Sequence, residues 1–133
     1  CVSVCPTTAM HKEGKRGLVL VDETKCVGCG YCVMACPYNA PKVSRELGYS
    51  VKCNGCEERL NQGLQPICVM SCPLRALDFG PIDELRKKYG DTAEIHPMPS
   101  ASYTHPNITI KPSPAALDPA ASKAHVANPK EVQ

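Results

Sequence analysis

Residues 26–37 read CVGCGYCVMACP, which places Cys26, Cys29, Cys32 and Cys36 at intervals of two, two and three residues, with Pro37 behind the last. Three thiolates spaced two residues apart on a tight loop can reach three corners of one cubane iron–sulfur cluster. The fourth, three residues further on, points away. Gly28 and Gly30 suit such a loop, because glycine adopts backbone angles closed to other residues and lets amide N–H groups approach the sulfurs. Those N–H groups favour the reduced, more negative state of a cluster. Pro37 turns the chain away after its ligand.

The spacing is that of bacterial ferredoxins, in which the fourth cysteine ligates the other cluster of a pair. Upstream, CVSVCP supplies Cys1, Cys5 and Pro6, with the same final spacing but without two further cysteines ahead of it. Crossed ligation makes Cys5 the natural fourth ligand for Cys26, Cys29 and Cys32, and the twenty residues between Cys5 and Cys26 suit a hairpin return. One complete [4Fe-4S] cluster therefore fits this chain. Cys36, by the same logic, shares a cluster with Cys1 and two cysteines from sequence ahead of Cys1. Because Cys1 already belongs to a motif, the sequence reads as an N-terminally truncated element.

Downstream lie Cys53, Cys56, Cys68 and Cys72, the last followed by Pro73. Here eleven residues, EERLNQGLQPI, separate the second and third cysteines where two are expected. The insert is polar, with Gly63 and Pro66, so it can leave the surface and return without disturbing the ligands. Crossed ligation leaves Cys53, Cys56 and Cys68 one ligand short and Cys72 three short. All of these are expected from sequence ahead of Cys1.

Composition agrees with a chain held by such groups. The 133 residues include ten cysteines, thirteen prolines, one phenylalanine and no tryptophan, with a formal charge of +2. So small a stock of large apolar side chains gives a thin core, and so small a charge argues against disorder. Coordinate or covalent cross-links must take the place of apolar burial. No run of 18 or more apolar residues occurs, so nothing is expected to span a bilayer. No basic stripe points to nucleic acid.

The fold class expected is α+β: a ferredoxin-like iron–sulfur domain of short strands and helices over 1–90, then a long irregular arm over 91–133. The cysteines end at Cys72, whereas prolines crowd the stretch from Pro97 to Pro129. Leu18 to Val21 and Ala76 to Phe79 read as short strands. Pro81 at a first turn, Asp83 and Glu84 near the start, Arg86, Lys87 and Lys88 near the end, and Gly90 as a stop predict a short helix. The arm has one alternating segment, Asn107 to Lys111. It cannot bury enough surface to fold alone and is expected to lie on a partner.

The paired motifs, the interrupted last motif, the run ICVMSCPLRALDFGPIDELRKKYG and the segments HPNITIKP and NPKEV together resemble the iron–sulfur (B) subunits of the dimethyl sulfoxide reductase family. The resemblance runs nearly end to end and covers the C-terminal two-thirds of such a subunit. It implies two ferredoxin-like folds holding four [4Fe-4S] clusters in the full-length subunit. It further implies a non-catalytic relay of electrons from a quinol-oxidising membrane anchor to a molybdopterin catalytic subunit in anaerobic respiration. The place implied is the bacterial inner membrane, reached through partner subunits, on a side the sequence leaves open. In the related nitrate reductase beta subunits a tryptophan replaces one cysteine of the third motif and gives a three-iron cluster. Cys32 is present here, so four-iron clusters are expected.

Other readings compete. A free-standing ferredoxin would carry Cys26 to Cys36 but would have no use for the interrupted motif or the arm. Cys53, Cys56, Cys68 and Cys72 could hold one tetrahedral zinc in a structural module, which would be colourless and redox-inert. A disulfide scaffold suits ten cysteines in a short secreted protein, but cysteines two apart on a loop pair poorly, and Cys-Pro endings have no disulfide rationale. His11, His96, His105 and His125 are isolated from any second metal ligand. Lys25, Lys42, Arg45, Lys52 and Arg75 either offset cluster charge or form a solvated face. Val27, Val33, Met34, Ile67, Val69 and Met70 flank the ligands and are expected to form a dry sheath.

Overall fold

The computed structural model describes residues 1–116. His125, the NPKEV segment and the end of the proline-rich arm lie outside the described residues. In chain order the elements are β1 (Met10–Lys12), β2 (Val19–Val21), α1 (Tyr31–Ala35), β3 (Lys42–Val43), β4 (Ser50–Val51), α2 (Glu57–Asn61), α3 (Ile67–Ser71) and α4 (Ile82–Tyr89). Two single-turn 3-10 helices follow, Ala101–Tyr103 and Pro114–Ala116. The mix of short strands and short helices is the α+β class expected. The chain divides into two compact units, Cys1–Pro66 and Ile67 onward.

The first unit holds two antiparallel hairpins. β1 pairs with β2 in the register Met10 to Val21, His11 to Leu20 and Lys12 to Val19. β3 pairs with β4, Lys42 opposite Val51 and Val43 opposite Ser50. The first hairpin is closed by Glu13, whose carboxylate accepts from the backbone N–H groups of Lys15 and Arg16 at 2.9 and 2.7 Å. Those N–H groups, that of Arg16 foremost, hold the Glu13 carboxyl below its ordinary value. β2 is the strand expected at Leu18 to Val21, starting one residue later.

Each hairpin follows the same sequence device. Cys5-Pro6-Thr7-Thr8-Ala9 leads into β1, and Cys36-Pro37-Tyr38-Asn39-Ala40 leads by way of Pro41 into β3. The returning strands, β2 and β4, then run toward Cys26 and Cys53. Local turns thus alternate with ligand loops, and each hairpin returns the chain to the next cysteine group.

Burial is sparse, as the composition requires. Ala9, Met10, Cys32, Pro41 and Ser50 are buried. Two side chains tie the first hairpin to later parts of the unit. The Lys52 ammonium donates to the Val19 carbonyl of β2 and, at 2.7 Å, to the Cys53 carbonyl. The Arg16 guanidinium reaches Leu60 O at 3.0 Å and Asn61 Oδ1 at 2.9 Å at the end of α2.

In the second unit the expected helix is present as α4. Pro81 stands at its N-cap, the acidic pair Asp83 and Glu84 lies in its first turn, and Gly90 closes it in the left-handed region at φ 94°, its N–H reaching Arg86 O. The strand expected at Ala76 to Phe79 is absent. A strand needs a neighbour to complete its ladder, and here the segment is held by side chains. Asp78 accepts from Lys88 Nζ at 2.9 Å and from the Tyr89 hydroxyl at 2.7 Å. Asn107 to Lys111 forms no strand either; its Ile110 N–H donates to Thr92 O at 2.8 Å and its Thr109 hydroxyl donates to Gly90 O.

Candidate metal centre

The first unit brings Cys5, Cys26, Cys29 and Cys32 around one cavity, floored by Ala9 and Met10 and flanked by Val21 and Tyr31. Cys32 is buried, Cys5 and Cys26 are half-buried, and Cys29 is exposed. The three cysteines of the loop arrive as a local unit: Gly28 and Gly30 take φ values of 65° and 79°, and Gly30 caps α1, which carries Cys32. Cys5 arrives from the start of the β1–β2 hairpin.

The sulfurs already accept hydrogen bonds. Met10 N–H donates to Cys5 Sγ at 3.4 Å, and the Thr7 hydroxyl stands 3.7 Å from the same atom. Ser50 N–H donates to Cys26 Sγ at 3.3 Å, and the Ser50 hydroxyl lies 3.3 Å from Cys32 Sγ. The Met10 amide is the main reason the Cys5 thiol sits below its ordinary value, against an opposing push from burial. Donors aimed at a sulfur stabilise thiolate, the form that binds iron.

The three Cys-Pro endings share a geometry that the sequence reading did not single out. In each, the third residue after the cysteine donates its N–H to the cysteine carbonyl at 3.2–3.3 Å: Thr8 to Cys5, Asn39 to Cys36 and Arg75 to Cys72. Each of these residues has positive φ, at 56°, 53° and 50°. The alanine that follows turns its own N–H onto the sulfur in two cases, Ala40 to Cys36 at 3.5 Å and Ala76 to Cys72 at 3.3 Å. The Ala76 amide leads the causes that lower the Cys72 thiol. Left-handed conformation in non-glycine residues carries strain, and here it delivers an amide to a sulfur. The signal was the threefold Cys-Pro-x-x-Ala repeat.

The other cysteines are placed differently. Cys1 and Cys36 are half-buried and lie outside the four-cysteine cavity. Cys53 and Cys56 belong to the first unit, where Gly55 N–H reaches Cys53 Sγ at 3.4 Å and Cys56, at φ 55°, caps α2. Cys68 sits on α3 of the second unit and Cys72 directly follows it. None of the ten cysteines is joined in a disulfide.

The donor set suits a cubane. A tetrahedral ion draws four ligands to bond distance from one point, whereas a cubane spreads its thiolates over four corners. Among the described residues no group of three or more His, Cys, Asp or Glu side chains converges on a single-ion site. Soft sulfurs around one cavity, with N–H and O–H groups turned toward them, fit a [4Fe-4S] cluster.

The expected sheath needs correction. Val27, Met34, Ile67 and Met70 are exposed, 65% and 75% for the first two. On a five-residue helix such as α1, the side that turns Cys32 inward necessarily turns Met34 outward. Val27 nonetheless lines the cavity together with Ala9, Met10 and Val21 of the first hairpin, and Val33 and Val69 are half-buried. Of the basic residues, Lys25 pairs with Asp22 at 3.0 Å, Arg75 donates to Met70 O at 3.1 Å, Lys52 bridges two carbonyls, and Lys42 and Arg45 are exposed.

Residues 1–82 match the family described as the 4Fe-4S dicluster domain. The protein belongs to that family, and is a ferredoxin-type protein of [4Fe-4S] clusters. Within it, the sequence is 55% identical over 132 residues to the B subunit of the anaerobic dimethyl sulfoxide reductase of Escherichia coli, covering 99% of this chain and 64% of that protein. The corresponding B subunit of Haemophilus influenzae is 51% identical over the same length, with the same shares. The thiosulfate reductase electron transfer subunit PhsB of Salmonella typhi is 47% identical over 85 residues, 63% of this chain and 44% of that protein. The similarity to dimethyl sulfoxide reductase B subunits expected from the motifs is present, and the chain spans 64% of the length of those relatives.

Proposed function

We propose that this chain is part of a non-catalytic electron-transfer subunit of a molybdopterin oxidoreductase of the dimethyl sulfoxide reductase type. In this reading it relays electrons from a quinol-oxidising membrane anchor to the catalytic subunit in anaerobic respiration. The observation that carries it is the convergence of Cys5, Cys26, Cys29 and Cys32 on one cavity with donors turned toward their sulfurs. These four would hold one complete [4Fe-4S] cluster. Cys1 and Cys36 would share a second, Cys53, Cys56 and Cys68 would contribute three ligands to a third, and Cys72 one ligand to a fourth.

Bound there, such clusters take up and release single electrons. The chain's part is to fix the thiolates, shield them and turn N–H groups toward the sulfurs. No acid, base or nucleophile is asked to act. Among the described residues no helix is long and apolar enough to cross a membrane, so association with the inner membrane would run through partner subunits. The exposed Met34, Val27 and Leu74, at 75%, 65% and 86%, offer apolar surface to such partners, and residues 91–133 would form the arm laid along them.

The test is iron and acid-labile sulfide in the anaerobically prepared chain, with a reduced-state paramagnetic resonance spectrum. About four of each per chain supports one self-contained cluster. A protein that takes up zinc, or no metal at all, overturns the reading. A free-standing ferredoxin is the second reading. Co-purification of the full-length protein with a membrane anchor and a molybdopterin subunit separates the two.

A further inference from the structure

We infer that Ser50 sets the reduction potential of the cluster held by Cys5, Cys26, Cys29 and Cys32, through two donors of one residue aimed at two different ligand sulfurs. This rests on the ligand assignment proposed above. Ser50 is 2% exposed and lies at the start of β4, on the hairpin that follows the ligand loop. Its N–H reaches Cys26 Sγ at 3.3 Å and its hydroxyl reaches Cys32 Sγ at 3.3 Å. A cluster-bound thiolate has no proton to give, so in both contacts Ser50 donates.

The placement is built by the fold. Loop 26–29 and the β3–β4 turn meet backbone to backbone, since a Cβ on Gly28 would stand 2.6 Å from Gly48 O. That approach brings Ser50, two residues beyond Gly48, against the sulfurs. A serine at this position without a role would be costly, because a buried hydroxyl needs a partner, and here its partner is a ligand atom.

The physical consequence has a sign. One-electron reduction adds negative charge that spreads onto the sulfurs, and a hydrogen bond to sulfur stabilises the more charged state. Charge-assisted donors are the stronger kind, and screening is weak at a buried site. Ser50 thus favours reduction and raises the potential. The N–H contact survives any side-chain substitution, so the hydroxyl contribution can be isolated.

The experiment compares wild type, Ser50→Ala, Ser50→Thr and Ser50→Val, each loaded anaerobically and titrated with dithionite under paramagnetic resonance. Ser50→Ala is expected to disfavour reduction about tenfold, which is about 59 mV downward for a one-electron couple. Ser50→Thr keeps the hydroxyl and is expected to hold the wild-type potential, while Ser50→Val, with the same shape and no hydroxyl, follows Ser50→Ala. Electron spin-echo spectra in heavy water should lose one deuteron coupling in Ser50→Ala and Ser50→Val but not in Ser50→Thr. If Ser50→Ala does not load, the Thr and Val pair decides the matter. Equal potentials for Thr and Val, with the cluster signal intact, would overturn the role of Ser50 and leave the ligand assignment standing. A wild-type chain that assembles no cluster overturns the assignment itself, and this inference with it.

Discussion

Gly28 and Gly48 touch backbone to backbone: a side-chain carbon on Gly28 would lie 2.6 Å from the Gly48 carbonyl oxygen. The contact fastens the ligand loop to the second hairpin, and it exists only because Gly28 carries no Cβ. A side-chain carbon on Gly30, in the same loop at φ 79°, would meet nothing within 4 Å. The two glycines therefore separate steric demand from conformational demand.

Gly28→Ala meets both demands, and Gly30→Ala only one. The left-handed conformation alone costs about 1–2 kcal/mol per residue, and a rigid backbone clash adds a further ~1–3 kcal/mol. Gly28→Ala is expected to lower cluster occupancy and thermal midpoint well below Gly30→Ala. Equal iron content and equal midpoints in the two variants would contradict the contact.

Cys5→Ala removes the one cysteine that reaches the cavity from outside the loop 26–32, the proposed fourth ligand. The expected result is loss or conversion of the cluster signal in paramagnetic resonance. Cys72→Ala, on the second unit, should leave that signal unchanged. An unaltered spectrum for Cys5→Ala refutes the crossed ligation.

Lys52→Met removes the cation that joins Val19 O of β2 to Cys53 O. Hydrogen bonds from charged donors are worth about 1.5–3 kcal/mol, discounted here because Lys52 is only half-buried. A loss of about 1–2 kcal/mol in unfolding free energy is expected, with faster amide exchange at the strand ends. Lys52→Arg should recover part of it. A Met variant as stable as wild type would show that the bridge contributes nothing.

Asp22 closes the turn that leads to Cys26. Its carboxylate accepts from Thr24 N at 3.0 Å and Thr24 Oγ1 at 2.6 Å and pairs with Lys25, and its backbone carbonyl accepts from Cys26 N–H at 3.1 Å. Thr24 first, then Lys25, holds the carboxyl down at about 2. The folded value is below the ordinary aspartate value, so its stabilisation is complete above about 3.9 and fades as pH falls toward 2. Asp22→Asn should therefore lose its brown absorbance faster than wild type at pH 5, with the ratio of rates approaching one near pH 2. A ratio independent of pH would exclude the Asp22 carboxylate as the cause.

Much of this molecule was legible in its residues. The cysteine spacing named the cofactor class, and Pro81, Asp83, Glu84 and Gly90 marked α4 with its ends in place. Leu18 to Val21 was read as a strand because it is a compact apolar run behind Gly17, and the structure gives it a hairpin partner at Met10–Lys12. Ala76 to Phe79 carries a similar local pattern but is held by Asp78 to Lys88 and Tyr89, and propensity cannot say whether a strand finds a neighbour. Met34 was read as sheath because it flanks ligands, whereas neighbours along a short helix face different sides.

What the sequence by itself determined was the [4Fe-4S] cofactor class, the ferredoxin-type class and the thinness of the core, because these follow from residue type and short spacing. Only the tertiary structure decided which donors meet which sulfurs. Ser50 lies eighteen residues beyond Cys32 and twenty-four beyond Cys26, on a hairpin whose approach depends on Gly28 lacking a side chain. A hydrogen bond is a matter of ångströms and angles between groups distant in the chain, and no periodicity or composition carries that information.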